Sequence, residues 1–254
     1  MTGALGEVIS SLEPITLEEM DSVKLMDRTD TKFIFHRSRL PEILDEIKDY
    51  YRMLEINTIR NNDYETLYYD TENFELYLRH HNEKNNRYKI RYRKYVNSNL
   101  HFFEIKFKNN KDRTIKSRVQ QAGLEAEIKD NAKFLLEDTT KYTSEMLRPV
   151  FWVNYSRMTL VSKGFEERLT IDTNLTFKNG SVSTSFNDLI IAELKQEKAC
   201  LKSPFARIMS HYHIRENSIS KYCLGVTQLV NEVKKNNFKP KLLILNKILR
   251  NGNA

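Results

Sequence analysis

Residues 87–93 read Arg-Tyr-Lys-Ile-Arg-Tyr-Arg. As a β-strand this segment puts Arg87, Lys89, Arg91 and Arg93 on one face and Tyr88, Ile90 and Tyr92 on the other. Same-face neighbours on a strand lie about 6.8 Å apart, and at an effective dielectric of about 20 each adjacent pair of cations repels by roughly 2 kcal/mol. Such a row suits a polyanion; taken alone, a solvated edge strand whose charges discourage aggregation reads equally well. The following segments favour the polyanion. Residues 102–108 set Glu104, Lys106 and Lys108 opposite Phe103, Ile105 and Phe107, and residues 114–119 set Lys116 and Arg118 opposite Ile115 and Val119. Later segments add Tyr155 with Arg157, Arg168 with Glu166 and Asp172, and Glu193 with Lys195. A nucleic-acid groove wants cations and exposed aromatics, whereas a few carboxylates among many Lys and Arg suit a divalent cation bridging phosphates. The implied chemistry is phosphoryl chemistry.

Backbone phosphate cradles are missing from the sequence: its 7 glycines are scattered, with neither GxxxxGK[ST] nor GxGxxG. Side chains must hold the phosphates instead. Arg offers a planar bidentate fork and Lys a point charge, and both stabilise a transferring phosphoryl group without a covalent protein nucleophile.

To position these residues the chain must build several strands with one charged and one apolar face. Strands are predicted at residues 30–36, 64–70, 74–79, 87–93, 102–108, 114–118, 150–157, 158–162, 166–172 and 189–195, joined mostly by short turns. Helices are predicted at residues 40–51, 131–137, 203–209, 220–235 and 241–249. The class is α+β. An open sheet would place the charged faces in water, while closure into a barrel with a polar interior and helices outside would make them line a tunnel.

The 254 residues, 40% apolar and 11% aromatic, suffice for a substantial core, and no linker or repeat divides them, so residues 1–254 read as one domain. The net charge of +7 comes from 41 basic and 34 acidic residues, so clustering matters more than the total. Cys200 and Cys223 are the only cysteines, too few for a disulfide framework or a zinc site. With no secretory leader pattern and no apolar run near 20 residues, a cytoplasmic protein is expected. The aliphatic cluster at residues 242–245, flanked by Lys239, Lys241, Lys247 and Arg250, reads first as a packed C-terminal helix and second as a contact for a membrane partner.

Eight short motifs in order resemble the VTC domain, the polyphosphate polymerase domain of the triphosphate tunnel (CYTH-like) superfamily. They are Asp30-Thr-Lys32-Phe, Ile90-Arg91-Tyr-Arg93, Phe103-Glu-Ile-Lys106, Thr114-Ile-Lys116-Ser-Arg118, Asn154-Tyr-Ser-Arg157, Arg168-Leu-Thr-Ile-Asp172, Ala192-Glu-Leu-Lys195 and Ser220-Lys221-Tyr222. The resemblance covers a core of about residues 26–225, with C-terminal helices at 220–250. It implies a closed eight-stranded antiparallel β tunnel with flanking helices. In that tunnel the γ-phosphate of ATP or another nucleoside triphosphate would pass to a growing polyphosphate chain, with Mn2+ or Mg2+ as cofactor. Carried over by motif, Lys32, Arg91, Arg93, Lys106, Arg157 and Glu193 would be catalytic. Lys116, Arg118, Tyr155, Arg168, Lys195 and Lys221 would bind phosphate, and Glu193, with Glu104 as a weaker candidate, would carry the metal. Arg87 and Lys89 would lie at the tunnel mouth. Arg168 pairing with Asp172, and Lys221 capping a helix, are the structural alternatives.

The Glu-x-Glu-x-Lys strand of many tunnel triphosphatases appears here only as Thr29-Asp-Thr-Lys32, which favours transfer over hydrolysis. The rivals are a tunnel triphosphatase and a non-catalytic binder of polyphosphate or RNA; no specific nucleic acid is expected. His211 and His213 lack a third ligand and read as a surface pair near a helix end, His80 and His81 read as non-catalytic, and Trp152 reads as core.

Overall fold

The computed structural model describes residues 3–21, 29–111, 113–123, 126–164, 166–196 and 203–250. Period-two alternation builds most of it. The strands β1 (Glu13–Ile15), β2 (Thr29–His36), β3 (Tyr51–Leu54), β4 (Asn62–Asp70), β5 (Arg87–Tyr95), β6 (Leu100–Lys108), β7 (Thr114–Gln121), β8 (Arg148–Ser162), β9 (Glu167–Asn179), β10 (Val182–Phe186) and β11 (Leu189–Gln196) form one 11-stranded sheet. Its main path runs β2-β11-β9-β8-β4-β5-β6-β7 and every pair along it is antiparallel. The strands β1, β3 and β10 lie off that path, and β1 pairs with β3 in parallel.

The expected closed eight-stranded barrel is corrected here: the path has eight strands, but β7 and β2 at its ends are not paired to each other. Each end is occupied differently. Residues near Glu216 cover the edge of β2, where Glu216 bridges Phe33 and the Asn217 amide donates to the Lys32 carbonyl at 2.7 Å. The other end strand, β7, is largely exposed and carries Lys116 and Arg118, charges that oppose edge-to-edge pairing.

Helices α1 (Ala4–Ser11), α2 (Leu17–Asp21), α3 (Leu40–Ile47), α4 (Glu75–His81), α5 (Asp130–Thr139), α6 (Pro204–His211), α7 (Lys221–Leu229) and α8 (Lys239–Arg250) flank the sheet. On the apolar face, α1, α3 and α6 pack over Phe33, Phe35, Leu169, Ile171, Ile190 and Ala192. Farther along that face Ala132 and Leu136 of α5 and Leu76 of α4 pack over Ile90, Tyr92, Phe103 and Ile105. Cross-strand registers place Lys32, Ile34, Ile191, Glu193, Phe151, Val153 and Arg157 together on the opposite, ionic face. Toward one end that face turns apolar, and Tyr222, Leu224 and Val226 of α7 fill it. Gly225 permits the approach: a Cβ there would lie 2.3 Å from Cε2 of Phe151 and 2.8 Å from Cδ1 of Phe177.

Several predicted elements change. The strand expected at 74–79 is helix α4, because the Asp70 carboxylate accepts the amides of Thr71, Leu76 and Tyr77 at 2.7–2.9 Å and so satisfies donors a helix start leaves open. Residues 148–162 form one long strand rather than two. The helix expected over 40–51 ends at Ile47 and β3 begins at Tyr51, while α7 stops at Leu229 rather than near 235. Cys200 lies outside the described residues, and the Cys223 thiol is buried. Among the described residues no helix is long and apolar enough to cross a membrane.

Candidate active site on the ionic face

Three carboxylates organise the ionic face, each clamped by cations from neighbouring strands. Register sets the first: Tyr68, Arg91, Glu104 and Arg118 stand abreast on β4, β5, β6 and β7. Nε and Nη2 of Arg91 both donate to Oε2 of Glu104, at 2.8 and 2.6 Å. The Lys116 ammonium lies 2.5 Å from Oε1 and Nη1 of Arg93 lies 3.6 Å from Oε2. The Glu104 side chain is 0% exposed. Burial would raise its pKa, but Arg91, Arg93 and Lys116 hold it far below the usual carboxylate range.

The second is Glu193, opposite Lys32 on β2. Its oxygens take Lys32 at 2.8 Å and Lys195, and its side chain keeps 20% of its surface exposed. Against a burial effect that would raise it, Lys195 and Lys32 hold the carboxyl well below its ordinary value. The third is Asp172, which receives Nε and Nη2 of Arg157 at 2.5 and 2.8 Å as a bidentate fork and also the ammonium of Lys221. Burial opposes ionisation here too, yet Arg157 and Lys221 bring its pKa down from 3.8 to about 2.

Among the described residues, two further cations of this face have no such carboxylate partner. Burial, reinforced by Arg91 and Arg93, pushes the Lys106 ammonium well down, with Glu193 and Glu104 opposing the shift. Lys106 therefore lies within reach of both carboxylate fields. Lys89 is likewise lowered, first by burial, with Cys223 and Tyr68 opposing. Buried Nε of Arg93 and Oη of Tyr155 have no hydrogen-bond partner among the described residues. An anionic group entering here would satisfy donors that are already in place.

The structure thus brings Lys32, Glu193 and Lys195 together, Arg91, Arg93, Glu104 and Lys116 together, and Arg157, Asp172 and Lys221 together. Tyr155 joins the last group, with the Lys221 ammonium 4.4 Å from its ring centroid. Arg118 covers the Phe102 ring at 4.7 Å. Arg168 pairs across the strands with Lys195, and its Nη2 donates to the Met20 carbonyl at 3.1 Å; the partners of Asp172 are Arg157 and Lys221. Glu166 stands exposed before β9 and is not part of the cluster. Arg87 and Lys89 lie at the end of β5 toward α7 and α8, where Arg87 donates to the Lys84 carbonyl at 3.0 Å.

Sequence reasoning missed Tyr64, Tyr68, Tyr95 and Phe102, which share the ionic face. Tyr64 stacks on Tyr155 with centroids 5.1 Å apart and planes 5° apart, and Arg93 and Arg157 sit over its ring at 5.6 and 5.4 Å. Burial lifts its phenol to about 12. Nη1 of Arg91 donates to Tyr68 Oη at 3.1 Å. Strand parity would have found these residues: Tyr95 is two positions from Arg93, and Phe102 two from Glu104. Of the residues set aside, His211 ends α6, His80 and His81 end α4, and Trp152 packs partly buried on the outer core.

Among the described residues no three His, Cys, Asp or Glu side chains converge into a metal cage. The donor set fits a divalent cation only in one mode, with one protein carboxylate and the remaining oxygens from a phosphate chain. Glu193 has the exposed surface for that; Glu104 has none.

A family model described as the VTC domain matches residues 27–230. No curated protein matches the sequence at a significant level. Among solved structures, a Hippeastrum protein solved as a candidate adenylyl cyclase, and described as having a dominant triphosphatase activity, aligns with TM-score 0.51 and 10% identity over 80% of this chain and 98% of that one. A candidate adenylate cyclase from Vibrio parahaemolyticus aligns with TM-score 0.47 and 13% identity over 78% of this chain and 99% of that one. At such identity the Hippeastrum likeness speaks for the fold alone.

Proposed function

The chain belongs to the VTC domain family and carries the triphosphate tunnel fold, and from that premise we propose that it is a polyphosphate polymerase that extends an inorganic chain with the γ-phosphate of ATP. One observation supports the reading: on a single sheet face, cations from β2, β5, β7, β8, β11 and α7 crowd around three carboxylates and outnumber them, with donors that have no partner among the described residues. The compensating charge must come from a ligand, and a run of phosphates supplies it.

In this reading a terminal phosphate oxygen of the acceptor chain attacks the γ-phosphorus, a P–O bond forms, the bond to the β-bridging oxygen breaks, and ADP leaves. Arg91, Arg93, Lys106 and Arg157 hold the transferring group and neutralise charge on its equatorial oxygens. Lys32, Lys116, Arg118, Arg168, Lys195 and Lys221 hold the flanking phosphates, and Tyr155 donates its unpartnered hydroxyl to one of them. Glu193 would carry Mn2+ or Mg2+ bound to the same phosphates, which neutralises oxygen charge when present. Glu104 serves instead to orient Arg91, Arg93 and Lys116.

A second reading is hydrolysis of triphosphate, the activity described for the Hippeastrum protein of the same fold. Incubation with ATP and Mn2+, scoring long-chain polyphosphate against free orthophosphate, separates the two. Long chains are expected; orthophosphate alone would overturn the polymerase reading and leave the hydrolase. The C-terminal helix remains the proposed contact for a membrane partner: α8 buries Leu245 and leaves Leu243 69% exposed beside Lys247.

A further inference from the structure

On the ionic face an aromatic ladder crosses four strands, starting beside the first residue of α7 and running outward to β6. Tyr155 on β8, Tyr64 on β4 and Tyr95 on β5 stand in register, and Phe102 on β6 lies next to Tyr95. Ring centroids step from Tyr155 to Tyr64 at 5.1 Å, to Tyr95 at 5.0 Å and to Phe102 at 5.7 Å. The first two rings are taken: they stack on each other under the Arg157 and Arg93 guanidiniums. Phe102 is capped by Arg118. Tyr95 differs. Its neighbours Tyr64 and Phe102 meet it at 56° and 81°, so among the described residues neither a parallel ring nor a cation lies on its face. It is half-buried, at a rim where Leu100, Arg118 and Gln120 are exposed.

A passage for phosphates alone gains nothing from an uncapped ring between two phosphate-binding arginines. A planar π-system joined to a phosphate chain does fit: its ring lies on Tyr95 while Arg93 and Arg118 take the first phosphates, and the rest of the chain reaches Lys106 and Glu104's arginines. We infer that Tyr95 is a base-stacking platform, making the site selective for nucleoside triphosphates over bare inorganic tripolyphosphate. The inference rests on the phosphate-binding reading of this face. It requires no base-edge contacts, so purine and pyrimidine triphosphates are both admitted, purines more tightly because they stack over more area.

The test measures calorimetric binding of ATP and of tripolyphosphate in EDTA, to full-length wild type and to Tyr95→Leu and Tyr95→Trp. Tyr95→Leu is expected to weaken ATP about tenfold and to leave tripolyphosphate within about twofold, while Tyr95→Trp retains or tightens ATP. Equal weakening of both ligands by Tyr95→Leu, or an unchanged ATP affinity, overturns the platform while leaving the phosphate site standing. Failure of wild type to bind either ligand would instead remove the underlying phosphate reading. Circular dichroism of each variant shows whether any loss comes from misfolding.

Discussion

Glu104 and Glu193 lie on the same face of the same sheet, each within salt-bridge distance of lysine and each held ionised, yet they are built for different work. Glu104 is sealed, with two arginines and a lysine on its oxygens and no exposed surface. Among the described residues Glu193 has only two lysines, and it keeps a fifth of its side chain exposed. A carboxylate wholly enclosed by cations is an architectural anion: it sets where Arg91 and Arg93 point. One that is partly open, with compact ammonium partners, can exchange a partner for a cation arriving with a phosphate chain. Strand position does not make the difference: both stand mid-strand next to an end of the sheet, Glu104 on β6 beside β7 and Glu193 on β11 beside β2. It follows from the cations each meets, Arg91, Arg93 and Lys116 for Glu104 against Lys32 and Lys195 for Glu193.

Neutralising each carboxylate separates these roles most sharply. Glu104→Gln leaves buried Arg91 and Arg93 without their anion, and an expected loss of about 3–5 kcal/mol should appear as a lower denaturation midpoint. Glu193→Gln is expected to cost about 1 kcal/mol or less, because Lys32 and Lys195 are partly solvated. Its effect falls on turnover instead, lowered on the order of 100-fold with polyphosphate binding kept or tightened. If Glu193→Gln turns over normally, or if Glu104→Gln is as stable as wild type, the division of labour is wrong.

The alternation that places Glu104 and Glu193 on one face was legible in the sequence because strand periodicity is local and fixed at two. The same rule, applied to aromatics, places Tyr64, Tyr95 and Phe102 beside the arginines, but aromatic rings on a strand read first as core. Other features are tertiary in origin. That residues 74–79 coil into α4 depends on Asp70 reaching their amides, and the apolar end of the ionic face becomes sensible only once α7 is seen to fill it. Nor does any local pattern say that β2 is covered by the segment near Glu216 rather than joined to β7. The short strands β1, β3 and β10 are too brief for alternation to distinguish from loop.

Acid titration probes the third clamp with a smaller effect. The Asp172 carboxyl has a folded pKa of about 2 against 3.8 unperturbed, so its ionised form stabilises the fold at pH values above 3.8. That contribution, on the order of 2 kcal/mol, is lost as pH falls through 3.8 toward 2, when the carboxyl protonates and releases Arg157 and Lys221. Asp172→Asn should therefore be less stable than wild type at neutral pH, with the gap between the two closing in that window. A gap that stays constant down to pH 2 would mean that the aspartate acts by packing and not by charge.

The smallest effect tests how sealed Glu104 is. Lys116 is its one partner with substantial exposure, 31% of its side chain, on the exposed end strand β7. If the two arginines already satisfy Glu104, removing that ammonium by Lys116→Gln should cost about 1 kcal/mol or less, since solvent screens the lost attraction. Phosphate affinity should fall by a few-fold through loss of one contact on the rim. A stability loss of 3 kcal/mol or more, the scale of an uncompensated buried charge, would show instead that β7 is what keeps Glu104 ionised. Glu104 and Glu193 would then differ in the number of their partners, not in kind.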